Sequence, residues 1–217
     1  DGEGTLNYRL GAQKLAAESK PGRDVVDINV SRGLIHIQLM DTDPNKTGNY
    51  IRNIRLIREK DESLLQQGKV FSPDFLARIQ PFAALRFKDW MTPYSGEYPT
   101  WDKRPLPGRA TYATYADSTI GLGVPVEIAL TLANQTNKSP WFSVPYKATD
   151  NEMRAFAETV RNNLNPTIPV YVEYSYNIWD SPRSGWMQAQ ADALWPKEPN
   201  SWYRLFNWYG KRSAEMC

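Results

Sequence analysis

Tyr176, Asn177 and Trp179 follow an alternating apolar segment at 170–175, and their aromatic and amide side chains could form a binding site. Aromatic faces pack on apolar surfaces of a ligand, and amide groups hydrogen-bond to its polar groups. The β-branched and aromatic residues of the segment favour a strand, so we expect the site at the carboxyl end of that strand. Glu173 lies deeper in the strand, where we expect a structural hydrogen bond rather than catalysis.

Two elements upstream must position this strand. Thr149 and Glu152 have the spacing of a capping box, which predicts that a helix begins there. Apolar residues then recur at helical spacing as far as Leu164, and Pro166 ends the run. A short apolar run at 140–144 predicts an earlier strand. The order strand, helix, strand predicts a βαβ unit with parallel strands and a right-handed crossover.

The same alternation extends from about residue 70 to the end of the chain. Ser72 followed by Pro73 is typical of a helix N-terminus. The other segments are predicted as a strand at 84–90, a long loop at 91–123, and helices at 124–133, 187–194 and 202–216. Repeated alternation of helices and strands predicts a parallel sheet covered by helices.

Residues 1–65 have a different pattern and predict a small β-rich domain. Alternating segments at 25–30 and 34–39 flank a turn at 31–33, which predicts a hairpin. Isoleucines and a leucine at 51–57 predict another strand. The charged stretch that follows predicts a linker at 58–70.

Composition excludes several classes of protein. The formal charge is +2 over 217 residues, which gives no electrostatic reason to expect a nucleic acid partner. No apolar run is long enough to span a membrane, so we expect a soluble protein. His36 and Cys217 are the sole histidine and cysteine. We therefore expect no metal, no cofactor, and no catalytic set based on histidine or cysteine.

Five motifs in series resemble a known family. They are Leu85-Arg86-Phe87-Lys88-Asp89-Trp90, Trp101-Asp102-Lys103-Arg104-Pro105, Gly123-Val124-Pro125-Val126-Glu127, Pro140-Trp141-Phe142-Ser143-Val144-Pro145-Tyr146, and Tyr171-Val172-Glu173-Tyr174-Ser175-Tyr176-Asn177-Ile178-Trp179. The series resembles bacterial glycoside-hydrolase-like (β/α)8-barrel proteins, often labelled cellulose-binding. The resemblance implies a small N-terminal β domain before the barrel, and an extracellular or periplasmic location. No signal peptide is visible, because the sequence begins at Asp1 like a processed or partial chain.

The chain departs from that family at the positions where the resemblance implies catalysis. In the family, asparagine stands at the position of Tyr176 and the acid/base glutamate at that of Asn177. The family also has asparagine at the position of Ser143 and histidine at that of Tyr146, whereas Arg86 matches. Because an asparagine cannot protonate a leaving oxygen, we expect degenerate catalysis.

Length limits the fold that the chain can form. A full barrel takes about 250 residues, so residues 70–217 have room for about four βα units. We therefore expect an α/β fold with a small N-terminal β domain and the first half of a (β/α)8 barrel. Either the chain is a fragment of a longer polypeptide, which we favour, or a protein partner covers the open barrel edge.

Three functional hypotheses remain open. The first is a glycosidase-like protein that binds a polysaccharide or oligosaccharide through Arg86, Asp89, Trp90, Tyr146, Tyr176, Asn177 and Trp179. The second is a structural or interaction subunit that kept the barrel fold and lost the sugar chemistry. The third is an active glycoside hydrolase that uses unusual residues. Four other tryptophans fall in or directly beside predicted helices, where we expect core packing: Trp186, Trp195, Trp202 and Trp208.

Overall fold

The computed structural model describes residues 1–91, 101–109, 112, 123–180 and 183–217. The chain forms two compact units, Asp1–Glu62 and Ser63–Cys217. The first unit is built mainly from short antiparallel strands, and the second from helices around a three-stranded parallel sheet. The protein is therefore mixed α/β. Most of the long segment predicted as a loop at 91–123 lies outside the described residues.

The first unit contains four strands in two pairs. They are β1 (Thr5–Leu10), β2 (Ala12–Lys14), β3 (Val26–Ile28) and β4 (Ile35–Asp41). Strand β1 pairs antiparallel with β4, and β2 pairs antiparallel with β3. The hairpin predicted at 25–39 is therefore wrong, because its two strands are neighbours in sequence but pair with different partners.

Local backbone chemistry explains why that hairpin does not form. A 3-10 turn at Val30–Arg32 separates β3 from β4, and the side chain of Asn29 accepts the Ser31 N–H at its start. Gly33 ends the turn with a φ of 70°, which glycine adopts without steric cost. The strand predicted at 51–57 is also wrong, because these residues form no strand.

The predicted linker at 58–70 includes a short helix, α1 (Glu62–Gln66).

Tyr8 anchors a polar network in the first unit. Its hydroxyl donates to Asp24 Oδ2 at 2.7 Å, and Lys14 Nζ lies 2.6 Å from Asp24 Oδ1. Burial, followed by the bond to Asp24, raises the pKa of Tyr8 to about 12. Burial alone would raise the pKa of Asp24, but the bonds from Lys14 and Tyr8 outweigh burial and hold that pKa below its usual value.

The second unit follows the predicted alternation of helices and strands. Its elements are α2 (Pro73–Ile79), β5 (Ala84–Arg86), α3 (Lys88–Met91), α4 (Val126–Thr136), β6 (Ser139–Val144), α5 (Asp150–Asn163), β7 (Tyr171–Tyr174), α6 (Arg183–Leu194) and α7 (Ser201–Met216). The strand order is β5-β6-β7 and both pairings are parallel. The predicted parallel strands on either side of α5 are therefore confirmed.

Side-chain caps fix where the helices of this unit begin. The Thr149 hydroxyl accepts the Glu152 N–H, and the Glu152 carboxylate accepts the Thr149 N–H, so the predicted capping box is confirmed. Ser72 caps α2 in the predicted way, by accepting the Phe75 N–H. The strand predicted at 84–90 is shorter than expected, because α3 begins at Lys88.

Two hydrophobic clusters hold the sheet and the helices together. In the first, Phe142 of β6 packs with apolar side chains of α4 and α5, including the fully buried Leu130. In the second, Tyr174 packs with Met187 of α6 and Leu205 of α7. These clusters bury one face of β6 and the carboxyl end of β7.

The tryptophans predicted to fill the core divide into two groups. Trp186 and Trp208 pack against the second cluster, with ring centroids 6.0 Å apart, and Trp195 is partly buried. The expectation is wrong for Trp202, which is 52% exposed on α7. No helix in the described ranges is long and apolar enough to cross a membrane.

Candidate functional site

An ion pair crosses the face of the parallel sheet. Arg86 on β5 donates from Nε and Nη2 to Glu173 on β7, with donor–acceptor distances of 2.6 to 3.0 Å. The Ser143 hydroxyl on the central strand donates to the same carboxylate at 2.5 Å. The arginine side chain is 41% exposed and the glutamate 16%. The structural hydrogen bond predicted for Glu173 is confirmed, and it ties the two outer strands together.

A row of stacked side chains lies on the same sheet face. Arg86, Trp141 and Tyr171 occupy one register across β5, β6 and β7. The guanidinium carbon of Arg86 lies 4.6 Å from the Trp141 ring centre, and the Trp141 and Tyr171 rings are 6.3 Å apart. Trp141 is 36% exposed and Tyr171 is 52% exposed. The row therefore offers an aromatic and cationic surface to solvent.

Tyr176 lies just beyond the carboxyl end of β7 and interacts with two cations. Lys88 Nζ lies 4.6 Å from its ring centre, and the guanidinium carbon of Arg183 lies 4.3 Å away. Both distances suit a cation–π interaction. Lys88 begins α3, two residues after the last residue of β5, while Arg183 begins α6. Residues at the ends of two strands and a helix are thus brought around one ring.

The backbone on either side of Tyr176 is unusual. Ser175 has a φ of 57° and Asn177 a φ of 46°, both in the left-handed region. Asparagine adopts this region more readily than most residues, whereas serine does so uncommonly. Left-handed residues without glycine often cluster at functional sites. The turn buries the consecutive residues Tyr174, Ser175 and Tyr176, which a regular strand would place on alternating faces.

The other sequence-predicted site residues differ in accessibility. Trp179 is 61% exposed beyond β7, and Asn177 before it is half-buried. Asp89 exposes 74% of its side chain after β5. Trp90 is 36% exposed and stacks on the core residue Phe75 with ring centroids 6.1 Å apart.

Tyr146 occupies a core position instead. It is only 3% exposed, and its ring packs edge-on against Trp186 with centroids 5.6 Å apart. Its backbone oxygen accepts the buried Tyr174 hydroxyl. The ring therefore packs within the second hydrophobic cluster rather than presenting a face to a ligand.

A small pocket adjoins the carboxyl end of β6. Trp101, Arg104, Ser143, Lys147 and Glu152 contribute to its lining, and its volume is about 50 Å³. That volume holds a few water molecules, whereas small-molecule pockets usually measure about 300 to 1,000 Å³. Arg104 is also committed to Glu127, at 2.6 Å. The exposed residues beyond β5 and β7 are therefore the better candidates for contacting a ligand.

Sequence reasoning missed three residues of this region: Lys88, Trp141 and Arg183. Trp141 directly precedes the buried Phe142 on β6. Because neighbouring side chains of a strand point to opposite faces, this alternation could have assigned Trp141 to the face opposite Phe142. No local signal indicates that Lys88 and Arg183 converge on one ring. Among the described residues, no group of three or more His, Cys, Asp or Glu side chains is arranged to hold a metal ion.

Comparison with known proteins identifies no relative: no family model matches the chain, and neither curated proteins nor solved structures give a match. The resemblance to glycosidase-like barrel proteins therefore depends on the motif series alone and stays a prediction.

Proposed function

We propose that the chain is a carbohydrate-binding protein on a glycosidase-like scaffold whose acid/base chemistry is degenerate. Its three parallel strands would be the first part of a (β/α)8 barrel, and its ligand a polysaccharide or oligosaccharide. Such a protein is expected outside the cytoplasm, in an extracellular or periplasmic location.

The exposed indole of Trp179, two residues after Asn177, carries this proposal. A tryptophan that is 61% exposed at the carboxyl end of a parallel strand is available to stack on a sugar ring. The neighbouring amide supplies a donor and an acceptor for hydroxyl groups. Binding sites of parallel α/β folds lie at this end of the sheet, which gives the position its significance.

Two residues of the β7 segment argue against ordinary glycoside hydrolysis. A retaining mechanism needs two carboxyl groups about 5 to 5.5 Å apart across the scissile bond. Asn177 supplies no proton, and Glu173 already accepts bonds from Arg86 and Ser143. The proposal is therefore binding without turnover.

Calorimetry with a panel of neutral and acidic oligosaccharides tests the proposal. We expect binding by the unmodified chain, and a loss of about tenfold or more in affinity for Trp179→Ala, because 1.4 kcal/mol corresponds to a factor of ten. Trp202→Ala is the matched control, since Trp202 is also more than half exposed but lies on α7. Absence of binding to every member of the panel would refute the proposal.

An assay for newly formed reducing ends, on the same oligosaccharides, separates binding from catalysis. We expect no hydrolysis. Turnover that disappears in Asn177→Ala would instead support an active glycoside hydrolase that uses unusual residues.

The open sheet favours a second candidate, an interaction subunit. Tyr171 and Val172 on β7 are 52% and 43% exposed, and β7 is an edge strand of the described sheet. Exposed apolar edge strands are typical pairing surfaces. If this candidate is correct, the chain should self-associate in sedimentation experiments, Val172→Lys should abolish the association, and no oligosaccharide should bind.

A further inference from the structure

We infer that the site beyond β5 and β7 prefers an anionic sugar, one that carries a carboxylate or a sulfate group. The inference rests on the proposed carbohydrate binding and adds the class of ligand. Its basis is the convergence of Lys88 and Arg183 on the Tyr176 ring at the carboxyl end of the sheet.

The Tyr176 ring concentrates positive charge. Lys88 Nζ and the Arg183 guanidinium both lie within 4.6 Å of its centre. A single ring attracts each cation, but the two cations repel one another in the low-dielectric surroundings of a buried residue. Arg183 is only 2% exposed, so solvent screens its charge poorly. An anion bound beside Lys88 would relieve this repulsion.

The carboxylate of Asp89 offsets the charge of Lys88 only loosely. Asp89 Oδ1 lies 3.8 Å from Lys88 Nζ. This distance exceeds the 2.7 to 3.2 Å of an N–H···O hydrogen bond. The Asp89 side chain is also 74% exposed, and such surface pairs are weak. A ligand anion that hydrogen-bonds to Lys88 can therefore compete with Asp89.

Two donors at this site have no hydrogen-bond acceptor in the described part of the chain. The Tyr176 hydroxyl is buried and unpaired, and the residue is 5% exposed. Lys88 donates no hydrogen bond to a described residue, although 26% of its side chain is exposed. A buried hydroxyl without a partner is costly, so the pair indicates an acceptor-rich ligand. Carboxylate and sulfate groups consist of such acceptors.

The test compares three forms of one oligosaccharide by calorimetry on the full chain. They are an oligosaccharide of uronic acids, the same compound reduced at its carboxyl groups to neutral sugars, and a sulfated counterpart of the neutral form. We expect at least one charged form to bind about tenfold or more tightly than the neutral form, and its advantage to shrink with added salt. The form that gains affinity identifies the anion as carboxylate, sulfate or either.

Variants assign the preference to the site. Lys88→Ala should abolish the preference for the charged form, while Lys88→Arg should retain that preference. Lys197→Ala is the charge-matched control, because Lys197 follows the far end of α6 and that helix of 12 residues is about 18 Å long.

Equal binding of all three forms would overturn the anionic preference and leave carbohydrate binding intact. A preference that survives Lys88→Ala would also overturn the assignment to this site. If none of the three forms binds, and no neutral glycan in the wider panel binds either, the proposed function is refuted as well.

Discussion

The ion pair between Arg86 and Glu173 should stabilise the second unit by joining its outer strands across β6. Glu173 accepts three bonds from Arg86, at 2.6, 2.8 and 3.0 Å, and one from Ser143. Arg86→Ala would leave a carboxylate that is only 16% exposed with Ser143 as its protein donor. Leaving a buried charged acceptor without its main partner is destabilising.

The magnitude follows from the number of bonds and their exposure. Hydrogen bonds to charged groups contribute about 1.5 to 3 kcal/mol each when buried. The arginine side chain is 41% exposed, so solvent screening reduces the benefit of the pair. We therefore expect Arg86→Ala to lower the free energy of unfolding by about 2 kcal/mol, which for a unit of this size is a fall of about 4 to 8 °C in Tm.

Urea unfolding followed by tryptophan fluorescence measures this change in the correct unit. All 8 tryptophans lie after residue 62, so the signal reports the second unit alone. A double-mutant cycle with Arg86→Ala and Glu173→Gln isolates the pairwise energy. A coupling energy below about 0.5 kcal/mol would refute the bridging role, because exposed ion pairs reach that value without burial.

Three further predictions concern single side chains. Thr149→Ala should lower the free energy of unfolding by about 1 kcal/mol, because it removes the N-cap of α5. The control Thr131→Ala on α4 should leave that free energy nearly unchanged, and urea unfolding followed by fluorescence measures both variants. Tyr176→Phe should not destabilise the unliganded chain, because its buried hydroxyl has no partner among the described residues, and a loss above about 1 kcal/mol would contradict this. Because the folded pKa of Tyr8 is raised to about 12, its stabilising effect is complete below pH 10 and is lost as the pH rises toward 12. Methyl NMR signals of residues 1–62 should therefore show less unfolding at alkaline pH in Tyr8→Phe than in the unmodified chain. An unchanged pH profile would refute the stabilising role of the protonated Tyr8 hydroxyl.

Local signals in the sequence predicted much of the second unit. The capping box at Thr149 and the N-cap at Ser72 depend on residues three positions apart, so they could be identified without knowledge of the fold. Alternating elements from residue 70 likewise predicted parallel pairing. The prediction for the first unit was wrong where strand pairing is long-range. Strand β4 pairs with β1, about 30 residues away, and no local sequence pattern encodes which strand β4 pairs with.

The candidate site was only partly predictable for the same reason. Trp179 and Asn177 could be placed beyond a strand because they directly follow it in sequence. The meeting of Lys88 with Tyr176 joins distant parts of the chain and depends on the order of strands in the sheet. The burial of Tyr146 could not be foreseen either, because it depends on packing against Trp186 of α6.

The left-handed backbone at Asn177 limits what a single substitution by glutamate could achieve at this position. With a φ of 46°, this position suits asparagine, whereas a glutamate there would strain the main chain by about 1 to 2 kcal/mol. A carboxylate installed on this turn would also project from a backbone geometry that differs from that of a regular strand end. Under the proposed function, a variant engineered to hydrolyse sugars at this position therefore has to reshape the turn as well as exchange the side chain.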